Sequence, residues 1–195
     1  MLRRRAFPIA FSAAVVAGWI CLTTTPIVAQ DDARAFRIAD GGFSLEAPAG
    51  WKRVQPKSGI VETEFAIPSA GDAPAGRMTV MGAGGSVQAN VDRWYGQFTQ
   101  PDGTATKDKA VSKTLKIADC TVTMVDVSGI YKDSPAGPFA GGKTIDRPGY
   151  RMLAAIVETP ASGSYFLKFY GPAATVATYA DGFRGMVEGL VPAGK

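Results

Sequence analysis

Met152-Leu153-Ala154-Ala155-Ile156-Val157 carries no polar side chain, and much of Tyr165 to Tyr170 shares that character. Both runs are short, rich in branched and aromatic residues, and separated by Pro160 to Gly163, so they predict a hairpin of Tyr150–Glu158 with Ser164–Tyr170. Successive side chains of a strand point to opposite faces, and a strand apolar at both parities must be covered on both sides. Two amphipathic helices far apart in sequence can supply one layer each.

The first runs from Val87: Val87, Val91, Trp94, Tyr95 and Phe98 fall at helical spacing, Ser86 stands ready as N-cap, and Pro101-Asp102-Gly103 stops it. The second aligns Val176, Tyr179, Phe183, Val187 and Leu190, with Asp181, Arg184 and Glu188 on the wet side, and ends before Pro192. Further strands are predicted at Phe43–Glu46, Trp51–Val54 and Arg77–Met81, with a hairpin of Val111–Ile117 and Cys120–Tyr131 around Ala118-Asp119. Val61, Thr63, Phe65 and Ile67 alternate with Glu62, Glu64 and Ala66, which predicts a strand with one buried and one wet face. The expectation is α+β: a mainly antiparallel sheet of six or seven strands with helices packed on it, in one domain over residues 42–192.

Ahead of that domain, Arg3, Arg4 and Arg5 precede an apolar stretch from Phe11 to Leu22, too short for the about 20 apolar residues of a membrane span. With a small residue at Ala29, residues 1–29 read as a secretory signal peptide, and residues 30–41 as a flexible lead-in. Arg4-Arg5-Ala6-Phe7 also touches the twin-arginine pattern, so the export route stays open. The mature chain is expected to be periplasmic or secreted, with no stable membrane span after cleavage. Taking the three leader arginines from 21 Lys+Arg leaves 18 against 17 Asp+Glu, a net charge of +1. The basic balance thus belongs to the leader, and nucleic acid is not an expected partner.

The chain has no histidine, which removes Ser-His and Cys-His triads and histidine-ligated metals. The leader also holds Cys21, so Cys120 is left without an intrachain partner. With no Lys, Arg or His beside it, Cys120 is read as a small core hydrophobe. No cofactor is expected.

Phe43-Ser44-Leu45-Glu46-Ala47-Pro48-Ala49-Gly50-Trp51, followed by Phe65-Ala66-Ile67-Pro68 and Arg77-Met78-Thr79-Val80, resembles the opening of PsbP-like domains, a group that includes periplasmic DcrB-type proteins. The resemblance implies an α/β/α sandwich around an antiparallel sheet, and an accessory or binding role without shared catalytic residues.

Several motifs carry residues of chemical interest. Gly137 to Thr144 matches the letters of a phosphate loop, but Pro148, Gly149 and a strand follow where a helix is needed to cradle phosphates. Gly82-Ala83-Gly84-Gly85-Ser86 lacks the third glycine of a dinucleotide fingerprint. Glu62 and Glu64 could divide acid and base roles or hold Ca²⁺, yet nothing nearby in sequence completes a site. The loop Lys132–Gly149 is long for a compact domain and offers Phe139, Lys143, Asp146 and Arg147 as a candidate partner or ligand surface. The function these features favour is an exported, non-catalytic accessory or binding module for a protein partner or small ligand at the cell envelope. A histidine-free hydrolase and a structural envelope component are the alternatives.

Overall fold

The predicted two-sided strands pair as a hairpin at the centre of the sheet. A computed structural model describes residues 34–134 and 143–194. In chain order the elements are β1 (Ala35–Ile38), β2 (Phe43–Glu46), β3 (Lys52–Val54), β4 (Thr63–Ile67), β5 (Gly76–Ala83), α1 (Val87–Tyr95), β6 (Phe98–Thr99), α2 (Thr106–Lys109), β7 (Val111–Ile117), β8 (Cys120–Asp133), β9 (Ile145–Glu158), β10 (Ser164–Pro172), α3 (Ala173–Thr178), α4 (Ala180–Glu188) and β11 (Val191–Pro192). The main sheet has eight strands in the order β3-β4-β5-β10-β9-β8-β6, with β7 also paired to β8. A separate three-stranded sheet is ordered β1-β2-β11.

Alternate residues of β9 and β10 feed two distinct cores. Leu153, Ala155, Val157, Leu167 and Phe169 face Phe65, Trp51, Phe183, Val187 and the small sheet. Met152, Ala154, Ile156 and Phe166 face Val91 and Trp94 of α1 together with Phe98, Val125 and Val127. Trp51 lies 5.2 Å from Phe169 between ring centroids, and Phe169 lies 6.0 Å from Phe183. On the other face Trp94 meets Phe166 edge-on at 5.2 Å, a favoured aromatic geometry. The architecture is therefore α+β, with α1 on one face of an antiparallel sheet and α3–α4 with the small sheet on the other.

Four local readings change. Residues 35–38, inside the segment read as a flexible lead-in, form β1, because Phe36 and Ile38 bury in the core beside β2. Phe98, expected on the helix, sits in a two-residue strand, since Gly96 caps α1 and the chain then pairs with Tyr131. The predicted C-terminal helix is two, divided at Tyr179. The main sheet also exceeds the expected six or seven strands, β6 being one that helical periodicity concealed. Ser86 does cap α1, its Oγ accepting from the Ala89 N–H at 3.2 Å.

Two backbone positions show how tightly the sheet is drawn. Gly129, at φ +150°, marks the register shift in β8, and a Cβ there would stand 2.6 Å from the Thr99 carbonyl oxygen. The β7–β8 turn holds Ala118 and Asp119 at φ 47° and 65°, with Ile117 paired to Cys120. A two-residue hairpin turn with both φ positive is the type that favours Asn-Gly, and alanine is strained there. Replacing Ala118-Asp119 by Asn-Gly is expected to raise unfolding stability by about 1 kcal/mol, read as a higher urea midpoint at unchanged slope.

Candidate functional site

One helix cannot cover the face it packs on. Nine residues of helix are about 14 Å long and 10 Å wide, whereas seven strand positions at about 4.8 Å spacing span roughly 30 Å. The part of this face beyond α1, over β4, β5 and the far end of β10, carries Glu64, Arg77, Lys168 and Tyr170.

The sequence pattern put Glu64 on a wet face, and the structure corrects this. Its side chain is only 5% exposed and takes Arg77 in a two-pronged pair. Arg77 Nε donates to Glu64 Oε1 and Nη2 to Oε2, each at 2.8 Å, while Nη1 donates to Tyr170 Oη at 2.6 Å. The carboxylate is thus met by a cross-strand guanidinium, which Tyr170 holds from its other side. The Arg77 bond holds the Glu64 carboxyl below its usual range against the opposing effect of burial. Glu62 is no free acid either: its Oε1 accepts from the Gly82 N–H at 3.0 Å.

Lys168 is the neighbour of this pair. Its Nζ donates to Gln97 Oε1 at 2.5 Å, just past the end of α1. The ammonium lies 5.4 Å from the centre of the Tyr131 ring and 5.1 Å from that of Tyr170. Burial first, then the charges of Arg93 and Arg77, lower its pKa to about 7, with Asp133 acting the other way. Burial likewise pushes the Tyr131 and Tyr170 hydroxyls up, so both stay protonated and can donate. Tyr150 stacks on Tyr131 at 6.0 Å and 8° between planes. The result is a patch of charges and aromatic rings, each fixed by the next.

The sequence-predicted residues meet this patch at one point. Arg147 pairs across the hairpin with Tyr131 and donates from Nε and Nη2 to Asp133 Oδ2, both at 3.2 Å. Asp146 is exposed opposite Lys132, and Lys143 is exposed ahead of β9. Phe139 and most of the phosphate-loop letters lie outside the described residues. Sequence reading missed Lys168, Arg77 and Tyr170, although a lysine inside an otherwise apolar central strand was a signal available there.

A polar cleft of about 610 Å³ adjoins the patch, lined by Arg53, Lys57, Glu62 and Glu64 among others. Among the described residues no three His, Cys, Asp or Glu side chains gather where a metal ion could sit. A lysine with so lowered a pKa has the amine of a general base, but among the described residues its hydrogen bond is to the Gln97 amide and not to a Ser or Thr hydroxyl. Cys120 is buried, and burial raises its thiol pKa, the state of an unreactive core cysteine. No described helix is long and apolar enough to cross a membrane.

Fold and layering place this chain in a class: it has a PsbP-like fold. Among solved structures it is similar to cyanobacterial PsbP (CyanoP) of Synechocystis, with 12% identity, a TM-score of 0.51, and coverage of 88% of this chain and 98% of that one. It also resembles LpqN of Mycobacterium tuberculosis, described as involved in cell envelope biogenesis, at 12% identity and a TM-score of 0.48 over 82% of this chain and 90% of the other. A Pseudomonas aeruginosa protein of unknown function aligns at 14% identity and a TM-score of 0.43, over 83% of this chain and 97% of that one. No protein-family model and no curated sequence matches the chain. At these identities the likeness is one of fold.

Two outcomes test the patch. Glu64→Gln should lower stability by about 2 kcal/mol at pH 7, since it removes the charge from a bidentate bond to arginine. Because the folded-state pKa of Glu64 is lowered, that contribution is present above the ordinary value of 4.5 and lost as pH falls through the folded value. Urea midpoints of the two proteins should therefore converge in acid. For Lys168 the folded-state pKa is likewise lowered: between about pH 7 and about 10.5 the unfolded chain binds the extra proton. Wild-type stability should gain on that of Lys168→Met as pH rises through this window, and a constant difference would contradict the lowered pKa.

Proposed function

We propose that this protein is an exported, non-catalytic accessory or binding module, and that it holds its partner or ligand on the Arg77–Lys168–Tyr170 patch and the adjoining end of the β8–β9 hairpin. The observation that carries this reading is the half-buried lysine, held by an amide oxygen and two ring faces on the part of the sheet that α1 leaves open. Aromatic and arginine side chains of this kind are the residues that dominate binding surfaces. The PsbP-like fold supports an accessory role, as does the resemblance of the Phe43–Trp51 motif to domains that serve mostly as such modules. The leader pattern at residues 1–29 supports export to the periplasm or beyond. Arg147, beside Tyr131 through Asp133, would form the hairpin side of the contact, with Lys143 and Asp146 further out.

The test is position-specific photocrosslinking in the source cells, with a benzophenone side chain replacing Met81 on the patch face or Val111 on the far edge. A discrete adduct from the Met81 position and none from Val111 is expected, on protein whose purified form begins at Gln30. Equal labelling from both positions, or protein retained in the cytoplasm with its leader intact, would sink the reading.

A further inference from the structure

The cations of the patch outnumber its anions. Glu64 takes Arg77 and Asp133 takes Arg147, which leaves Lys168 and Arg93 facing neutral amides. Lys168 has Gln97 Oε1 at 2.5 Å, and Arg93 Nη2 has Asn90 Oδ1 at 2.7 Å. Arg93 also lies over Phe166, 5.9 Å from the ring centre. Phe166, under Arg93, and Lys168 are two residues apart on one face of β10, and Arg93 is close enough to act on the Lys168 charge, so the two positive groups share one locality. Each raises the potential felt by the other, and Arg77 adds to it.

A charge withdrawn from water, as that of half-buried Lys168 is, is ordinarily matched by opposite charge, and the exposed Arg93 guanidinium beside it adds a second positive group rather than a match. Ring faces attract a cation without neutralising it. An ammonium has three donors and a guanidinium five, and among the described residues Lys168 and Arg93 each spend one on an amide oxygen. The groups facing Lys168 are Arg93 from α1, Arg77 from β5, Tyr131 and Asp133 from β8, and Tyr170 of its own strand, with Tyr150 and Arg147 of β9 behind them. Asp133 is the one acid in that set, and Arg147 already holds it.

We propose that Lys168 and Arg93 together receive one oxyanion, a carboxylate or phosphate group carried by the ligand, at the end of α1. This deepens the binding-module reading and rests on it. A guanidinium fork and an adjacent point charge suit such a group, while the partly exposed Tyr150 and Tyr170 rings offer flat apolar contact to the rest of the ligand.

The test follows the lysine ¹³Cε resonances of the purified protein through pH titrations in sodium phosphate, sodium acetate and sodium chloride at equal ionic strength. Phosphate or acetate should raise the Lys168 midpoint by about one unit or more, the effect of an opposite charge at close range, and chloride should not. Arg93→Gln should weaken the oxyanion at least about tenfold, as loss of a charged hydrogen bond does, and Arg93→Lys should retain most of it. A response to phosphate alone assigns a phosphate-bearing ligand, and a response to both assigns a site that also accepts carboxylates. A midpoint indifferent to both anions overturns the proposal, as does a shift that survives unchanged in Arg93→Gln; should that variant not fold, the wild-type midpoint and Arg93→Lys still decide. A flat titration with the Met81 crosslinks intact removes only the oxyanion. Loss of those crosslinks with the titration intact strikes the partner reading instead.

Discussion

Burial of β9 and β10 on both faces is the constraint from which the other layers follow. Met152, Ala154 and Ile156 alternate with Leu153, Ala155 and Val157, and all six are buried. Hydrophobic burial stabilises by about 25 cal/mol per Å² of apolar surface, and neither face can gain it without a partner layer. The chain supplies α1 for one face, and α3–α4 with the β1-β2-β11 sheet for the other. The aromatic contacts Trp94–Phe166 and Trp51–Phe169–Phe183 are the points where those layers are locked to the central hairpin.

The two covers are unequal, and the polar patch follows from that inequality. Among the described residues one face receives two helices and a small sheet, the other the nine-residue α1 with the four-residue α2 at its side. Where α1 stops, the sheet covers itself with long side chains whose ends are polar: Arg77 over Glu64, and Lys168 between two tyrosine rings. Side chains that are apolar along their stems and charged at their tips can do both, shielding the sheet and meeting solvent. The mutual bonding that completes the fold here also holds these groups in fixed places. Preorganised polar groups on a rigid strand scaffold are what a recognition surface requires.

Legibility in the sequence was uneven for local reasons. The hairpins at Ala118-Asp119 and at residues 160–163, and the core stripe of the last helical segment, could all be read because periodicity and turn chemistry act within a few residues. β1 could not, since Ala35–Ile38 alternates over only four residues and is a strand only because β2 lies beside it. Phe98 continued the helical spacing of Trp94 and Tyr95, and only its pairing with Tyr131 makes it a strand. Glu64 was misplaced for a similar reason: alternation assigns a residue to a face, and whether that face meets water depends on strands far along the chain. Lys168 could have been noticed as a charge in a central strand, but its surroundings come from five separate elements.

By itself the sequence determined the class of the fold, the absence of histidine chemistry, the N-cap of α1 and the two-sided centre of the sheet. These depend on residue type and on spacing over a turn or a strand, which the order of letters carries directly. Only the tertiary structure decided which charges pair. Glu64 meets Arg77 because β4 and β5 are neighbours in a set register, and Tyr170 joins them because β10 is the next strand. Lys168 finds Gln97 across 71 residues of chain. Strand order and register are properties of the whole packed chain, and the balance of charge in the patch is a property of that packing.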